Sequence, residues 1–173
     1  MDYTLRKWHL SDIPSLQRHA DNPKIAANLT DAFPNPYTLA DAEDYIGMCL
    51  ANDEHASCMR AICVGGDAVG GIGITLGSDV YRKRAELGYW LAEPYWGRGI
   101  MPRAVREMCA YAFQTYGLVR IFATPYAYNA ASCRVLEKAG FACEGRMRNS
   151  AYKSGKVLDT FMYALLKNNE LSL

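Results

Sequence analysis

The sequence predicts a single α/β (α+β) domain built on one mixed sheet with helices on its faces. Three observations predict it. Apolar runs of strand length alternate with helical patterns over the last two thirds of the chain. The run Ala85 to Leu91 leads through a glycine turn, Trp96-Gly97-Arg98-Gly99-Ile100-Met101-Pro102, into a helical pattern that continues to Thr115, and a strand pattern, Val119 to Tyr126, follows. Strand, helix, strand in that order makes a right-handed parallel crossover. Finally, Gly65-Gly66-Asp67 between two apolar runs is a hairpin signal, so the sheet also has antiparallel strands.

Composition sets the limits. The 173 residues suit one domain with a buried core, and 50% hydrophobic against 21% charged residues marks a folded chain. A net charge of +1 argues against duplex nucleic acid or an anionic membrane as partner. No apolar run approaches the roughly 20 residues of a membrane span, and Met1-Asp2-Tyr3 does not begin a signal peptide. The six cysteines form no C-x-x-C pair and sit mostly in apolar contexts, as buried free thiols do in a reducing cytoplasm, where the chain is expected. His9, His19 and His55 lack metal-ligand spacing, so no metal is expected.

In chain order, Tyr3 to Trp8 reads as a short strand. Ser11 and Asp12 offer an N-cap for a helix to Ala20, and Asn22-Pro23 caps a second that reaches Leu29. Asp31 to Tyr37, with two prolines and two aromatics, is an irregular loop, either one wall of a substrate cleft or packing. Thr38 with Asp41 forms a capping box for a helix from Leu39 to Ala51. The strands Cys58 to Val64 and Ala68 to Leu76 come next, then a basic turn, Arg82-Lys83-Arg84, and the strand Ala85 to Leu91. Pro102 fits the first helical position, where its missing N–H costs nothing. The helix places Val105, Met108, Cys109, Ala112, Phe113 and Tyr116 on one face. Asn129 starts the helix Ala130 to Ala139; Gly140 stops it, with Phe141 folding back on Leu136. Two strands, Ala142 to Met147 and Lys156 to Leu165, close the chain.

The glycine turn is the chemical centre of this pattern. Between a strand and a helix it frees several backbone N–H groups at the positive end of the helix dipole, which suits a phosphate. It is not a P-loop, since no Gly-Lys-Ser/Thr follows, and it lacks the third glycine of a dinucleotide fingerprint. A general nucleotide-binding protein is therefore disfavoured.

Two blocks carry a family resemblance. One is Ala85-Glu86-Leu87-Gly88-Tyr89-Trp90-Leu91 with Pro94-Tyr95-Trp96-Gly97-Arg98-Gly99-Ile100; the other runs Asn129-Ala130-Ala131-Ser132-Cys133-Arg134-Val135-Leu136-Glu137-Lys138-Ala139-Gly140-Phe141. Together they resemble the acetyl-CoA-binding blocks of the GNAT N-acetyltransferases, in the branch that includes the ribosomal-protein N-terminal acetyltransferases. Leu5-Arg6 with Asp12, and Gly155 with Asp159 before Phe161-Met162-Tyr163, resemble that branch too, so the likeness covers nearly the whole chain. The resemblance implies a twisted, mostly antiparallel sheet with a central parallel pair that splays apart, the cofactor arm pairing with the opened edge. It departs from the superfamily at Trp96 and Met101, where Gln or Arg and Gly or Ala are usual, and at Leu136, where many members have a tyrosine that protonates the leaving thiol.

What the resemblance implies is an acyltransferase that moves an acetyl group from acetyl-CoA to an amine acceptor, a protein N-terminus or a small molecule, as monomer or homodimer. Amides from Gly97 to Met101, including Arg98, Gly99 and Ile100, would wrap the diphosphate. Backbone groups of Trp90, Leu91 and Ala92 would hold the arm, with Asn129 and Ser132 opposite and Arg134 and Lys138 toward the nucleotide phosphates. Direct attack needs a neutral amine. Glu86 is the candidate base, with a salt bridge to Arg82 or Arg84 as its structural alternative. The thiolate's proton would come from Ser132, Tyr126, Tyr128 or solvent. A non-catalytic acyl-CoA-binding module is the alternative that Leu136 favours.

Overall fold

In a computed structural model, which describes residues 1–52 and 54–167, the apolar runs form one seven-stranded sheet. The chain runs β1 (Thr4–Arg6), α1 (Ile13–Ala20), α2 (Pro23–Ala26), α3 (Leu39–Ala51), β2 (Ser57–Val64), β3 (Asp67–Leu76), β4 (Arg84–Leu91), α4 (Ile100–Thr115), β5 (Arg120–Ala123), α5 (Ala130–Ala139), β6 (Ala142–Lys153) and β7 (Lys156–Leu166). The spatial order is β1-β2-β3-β4-β5-β7-β6. Every neighbouring pair is antiparallel except β4 and β5, which are joined through α4.

That parallel pair is short. Only Arg84, Ala85 and Glu86 pair with Arg120, Ile121 and Phe122; β4 then continues to Leu91 while β5 ends at Ala123. The expected strand end at Tyr126 is cut back. Pro125 has no N–H to give, and Tyr126 keeps a single bridge, to Thr160.

The sheet buries both faces. On one, α4 and α5 bring Ile100, Val105, Met108 and Leu136 against Ile62, Ile74, Leu87 and Ile121. On the other, Leu16 of α1 and Ile46 of α3 pack with Trp8, Tyr37, Ala61 and Ala68. A strand alternates its side chains between faces, so β4 divides cleanly. Ala85, Leu87, Tyr89 and Leu91 face α4 and α5, while Glu86, Gly88 and Trp90 face the other side.

Local chemistry sets the boundaries. Thr38 and Asp41 cap α3 reciprocally, each side chain taking the other's backbone N–H. At the end of α5, Gly140 adopts φ 97° and Phe141 N–H reaches the Leu136 carbonyl at 3.0 Å, the back-folding the sequence suggests. Pro102 is the third helical residue and not the first, because the helix already begins at Ile100; its missing N–H still falls in the first turn, where no acceptor exists. The hairpin β6–β7 is longer than its apolar content indicates. It extends to a turn at Ser154-Gly155 and carries a bulge between Met147 and Ala151. The cysteines are free thiols, four of them buried, with Cys49 half-buried and Cys143 exposed.

Asp12 does not cap α1 with its side chain. It closes a 3-10 turn at Leu10–Asp12 and ties it to β1 instead. Its carboxylate accepts from both terminal nitrogens of Arg6 at 2.7 Å and from the His9 N–H at 2.9 Å. Burial pushes its pKa up, but Arg6 and the amide outweigh burial and the net shift is downward. A carboxyl whose folded pKa is depressed adds stability that is fully present above its unfolded value, about 3.9, and is lost as pH falls through the folded value. Asp12→Asn should therefore cost ~1.5–3 kcal/mol at neutral pH. In urea melts the gap to the parent should start to close below about pH 4; a gap that ignores pH would mean Asp12 acts by packing alone.

Candidate active site

Where β4 and β5 part, a cavity of about 830 Å³ opens through the sheet. Its walls are β4 from Glu86 to Leu91, the β5 end from Ala123 to Tyr126, the turn before α4, the first turns of α5, and a roof from Lys24 to Thr30. Glu86, Trp90, Leu91, Gly97, Gly99, Ile100, Met101, Tyr126, Asn129, Ser132, Arg134 and Lys138 all line it; Ala92 and Arg98 do not. Ala92 gives its N–H to the Val69 carbonyl at 2.8 Å. Antiparallel alternation then turns the backbone of Trp90 toward β3 as well, and the N–H groups of Tyr89 and Leu91 toward the opening. The edge available for pairing is thus one residue out of step with that expected for Trp90 and Ala92. Arg98 is exposed.

At one end lies the glycine turn. Gly97 and Gly99 sit at φ 73° and 72°, a region that side chains with a Cβ rarely enter. No backbone N–H from Gly97 to Met101 donates to another described residue, so a row of free amides opens a sixteen-residue helix. Arg134 and Lys138 flank the same end. Trp96, where the turn departs from the superfamily, has a purpose: its indole N–H donates to the Leu91 carbonyl at 2.6 Å and pins the turn to the end of β4. These groups suit a diphosphate.

Ser132, in the first turn of α5, also lines the cavity. Asn129 caps that helix by accepting from the Ser132 N–H at 3.0 Å. The Ser132 hydroxyl lies 2.7 Å from the phenol oxygen of Tyr89, which reaches across from β4. Burial pushes the Tyr89 phenol up, and the serine only partly offsets it. Leu136, one turn further along, is fully buried and does not reach the cavity.

The far end lies under the roof. Tyr126 donates to the Leu29 carbonyl at 3.3 Å and Tyr128 to the Ala27 carbonyl at 2.5 Å, their rings stacked 5.4 Å apart. Asn22 and Lys24 hold the roof's other end to Glu93. Asp31 to Tyr37 proves to be packing: Phe33 and Tyr37 meet each other and Phe33 meets Trp90, while the segment just before supplies the cavity wall. Glu86 pairs with neither Arg82 nor Arg84. Its Oε1 accepts from Thr124 at 3.2 Å, and Arg84 lies instead over the Tyr81 and Phe122 rings. Glu86 is the only acid among the described residues lining the cavity. Met147, Ser150, Ala151 and Thr160 complete this end, Ser150 and Thr160 hydrogen-bonded at 2.8 Å across the β6 bulge.

The family model for an acetyltransferase (GNAT) domain matches residues 2–142. The chain belongs to the GNAT acetyltransferase family. It is an acetyl-CoA-dependent N-acetyltransferase. Among relatives it is 32% identical over 170 residues to the uncharacterized N-acetyltransferase p20 of Bacillus licheniformis, covering 95% of this chain and 92% of that one. It is 28% identical over 167 residues to the L-amino acid N-acetyltransferase AaaT of Escherichia coli (strain K12), covering 96% and 99%. Its fold matches that of RimL, a ribosomal L7/L12 alpha-N-protein acetyltransferase solved with Coenzyme A, at TM-score 0.83 and 24% identity, over 95% and 93% of the chains.

Tyr89 and Trp96 line the cavity with contacts that the sequence does not assign to them. Tyr89 was legible in principle, since its place between Leu87 and Leu91 puts it on the α5 face. Trp96 had no such signal, because its partner is a backbone carbonyl. Among the described residues no helix is long and apolar enough to cross a membrane, and no three His, Cys, Asp or Glu side chains are grouped to hold a metal ion. The turn yields a direct test. A Cβ at Gly99 would meet no protein atom within 4 Å, so valine there conflicts with φ 72° and with whatever anion approaches the amides. Gly99→Val should weaken acetyl-CoA binding about 100-fold or more by calorimetry, the loss of close backbone contact to a phosphate. Parental affinity would remove the turn from the site.

Proposed function

We propose that this enzyme acetylates a single-charged primary amine, a protein N-terminus or a small molecule, by direct attack within a ternary complex of donor, acceptor and protein. One observation carries the reading. The opening in the sheet runs from Glu86, the one acid among the described residues lining it, to an anion-binding turn, with the basic side chains Arg134 and Lys138 of α5 also lining it and Lys24 of the roof paired with Glu93. A donor with phosphates and an acceptor with one ammonium group are sorted by charge to opposite ends. AaaT and RimL are named for acetylating an L-amino acid and a protein α-amine, and both kinds of acceptor present such a group.

Division of labour follows from the two faces of β4. Glu86 faces the acceptor side, where Thr124 holds one carboxylate oxygen and leaves the other to take a proton from the incoming ammonium. An α-amine, with pKa about 8, needs this help less than a lysine-like amine at about 10.4. Backbone N–H groups of Tyr89 and Leu91 point into the opening, where a carbonyl oxygen gains charge. Ser132 faces the donor side, toward the departing sulfur. Tyr126 and Tyr128 spend their hydroxyls on the roof.

Two measurements test this. Acetyl-CoA should raise the melting temperature well above any shift from ATP or NAD at equal concentration, because a ligand held only by the folded state stabilises it by mass action. Equal shifts would reduce the turn to a generic anion site. Glu86→Gln should lower turnover by ~10²–10⁴-fold at neutral pH, with acetyl-CoA affinity near parental and the deficit shrinking as pH approaches the acceptor's own pKa. Parental turnover with an accepted amine would pass the base role to water or to the substrate.

A further inference from the structure

We propose that Tyr89 is a positioning residue for the leaving group: it donates its phenolic hydrogen to Ser132 and so frees the serine hydroxyl to donate to the departing sulfur. The inference rests on the acetyl-transfer reading above, and its observation is a contact across the opening. The Tyr89 phenol from β4 and the Ser132 hydroxyl from α5 stand 2.7 Å apart, and both residues line the cavity. Ser132 also offers its carbonyl to the same phenol, at 3.3 Å.

The proton between the two hydroxyls can run either way. With Tyr89 as donor, Ser132 has its own hydrogen to direct elsewhere, and the cavity is the side left open to it. A chain of two hydroxyls polarises along its length, so the terminal donor is stronger than an isolated serine. Tyr89 is suited to be a permanent donor, since burial keeps its phenol protonated well past neutral pH. Cys133, the ionisable group that acts on it, is raised by burial as well, so neither carries charge. The other charged groups lining the cavity among the described residues are Arg134 and Lys138 of α5, Lys24 of the roof, which is paired with Glu93, and Glu86 on the opposite face of β4.

The chemistry balances without a proton from Tyr89. The amine, neutral once Glu86 has taken the ammonium proton, adds its nitrogen to the thioester carbonyl carbon, and its second proton leaves to solvent. The C–S bond then breaks and its electron pair stays on sulfur, as a thiolate that accepts a hydrogen bond from Ser132. Solvent supplies the thiol proton later. A thiol with pKa about 8.5 would not draw a proton from a phenol above 10, so the pair works by donating hydrogen bonds.

Tyr89→Phe keeps the ring and removes the hydroxyl, and Ser132→Ala supplies the second arm. Tyr89→Phe should lower kcat about 10-fold, as the loss of one indirect donor to a charged atom does, with KM for acetyl-CoA near parental. The pKa of bound CoA thiol, read from thiolate ultraviolet absorbance, should rise by about one unit, the same factor of ten. In the double variant the loss should be no greater than in Ser132→Ala alone. Losses that multiply, or a bound thiol that titrates alike in parent and Tyr89→Phe, would overturn the proposal and leave the acetyl-transfer reading intact. Failure of the parent to bind CoA would overturn both.

Discussion

The separation of β4 from β5 after Glu86 and Phe122 leaves backbone donors and acceptors in the middle of a sheet without partners. A polar group buried in that state costs ~1–3 kcal/mol, so a sheet opens at its centre only when something enforces it. Here β5 turns to β7 for its bonds, Pro125 withholds an N–H at the next step, and the roof and α5 occupy the two sides of the gap. Trp96 satisfies one orphan, the Leu91 carbonyl, and in doing so fixes the distance from the opening to the phosphate turn. The free edge and the free amides of the turn then lie along one path, which is the shape of an extended donor with an anionic end.

Strand periodicity does the rest. Because successive residues of β4 face opposite ways, Glu86 and Tyr89, three apart, stand on opposite faces of the opened sheet. A reaction centre between them has a carboxylate on one side and a hydroxyl pair on the other. Gly88, on the Glu86 face, adds nothing to the gap: a Cβ there would meet no atom within 4 Å. One residue of slip in β4 would exchange these environments, putting the carboxylate among Leu87's apolar neighbours and the tyrosine in water.

How much of this was legible follows the range of the interactions involved. The capping box at Thr38 and Asp41, the Gly140 ending and the Gly65-Gly66 turn are encoded within four residues, and each forms as read. The glycine turn and the serine of α5 are also local, and the sheet brings them to one cavity. The larger failures are long-range. The end of β5 depends on the distant β7, and Asp12 gives its carboxylate to Arg6 in place of its own helix. One wall of the cavity comes from Lys24 to Thr30, while Phe33 packs on Trp90, a contact that no spacing announces. Period-two alternation could have separated Tyr89 from Glu86 in advance; the hydroxyl 43 residues away that gives Tyr89 its meaning could not be placed without the fold.

The tyrosines also bear on the leucine at position 136. That side chain is fully buried between α4 and the sheet, close to the Phe141 that folds back beneath Gly140. A phenol there would either carry its hydroxyl into the core, where an unpaired polar group is costly, or force the helix outward. The Tyr126 and Tyr128 hydroxyls, meanwhile, hold the roof, and releasing either would loosen that wall of the cavity. Among the described residues, only Tyr89 combines a place in the cavity with a tyrosine hydroxyl bonded to the serine of α5. With Leu136 committed to packing and the loop tyrosines to closing the cavity, the opened strand is left to back the Ser132 hydroxyl of α5, and Tyr89 meets it from the strand that borders the opening.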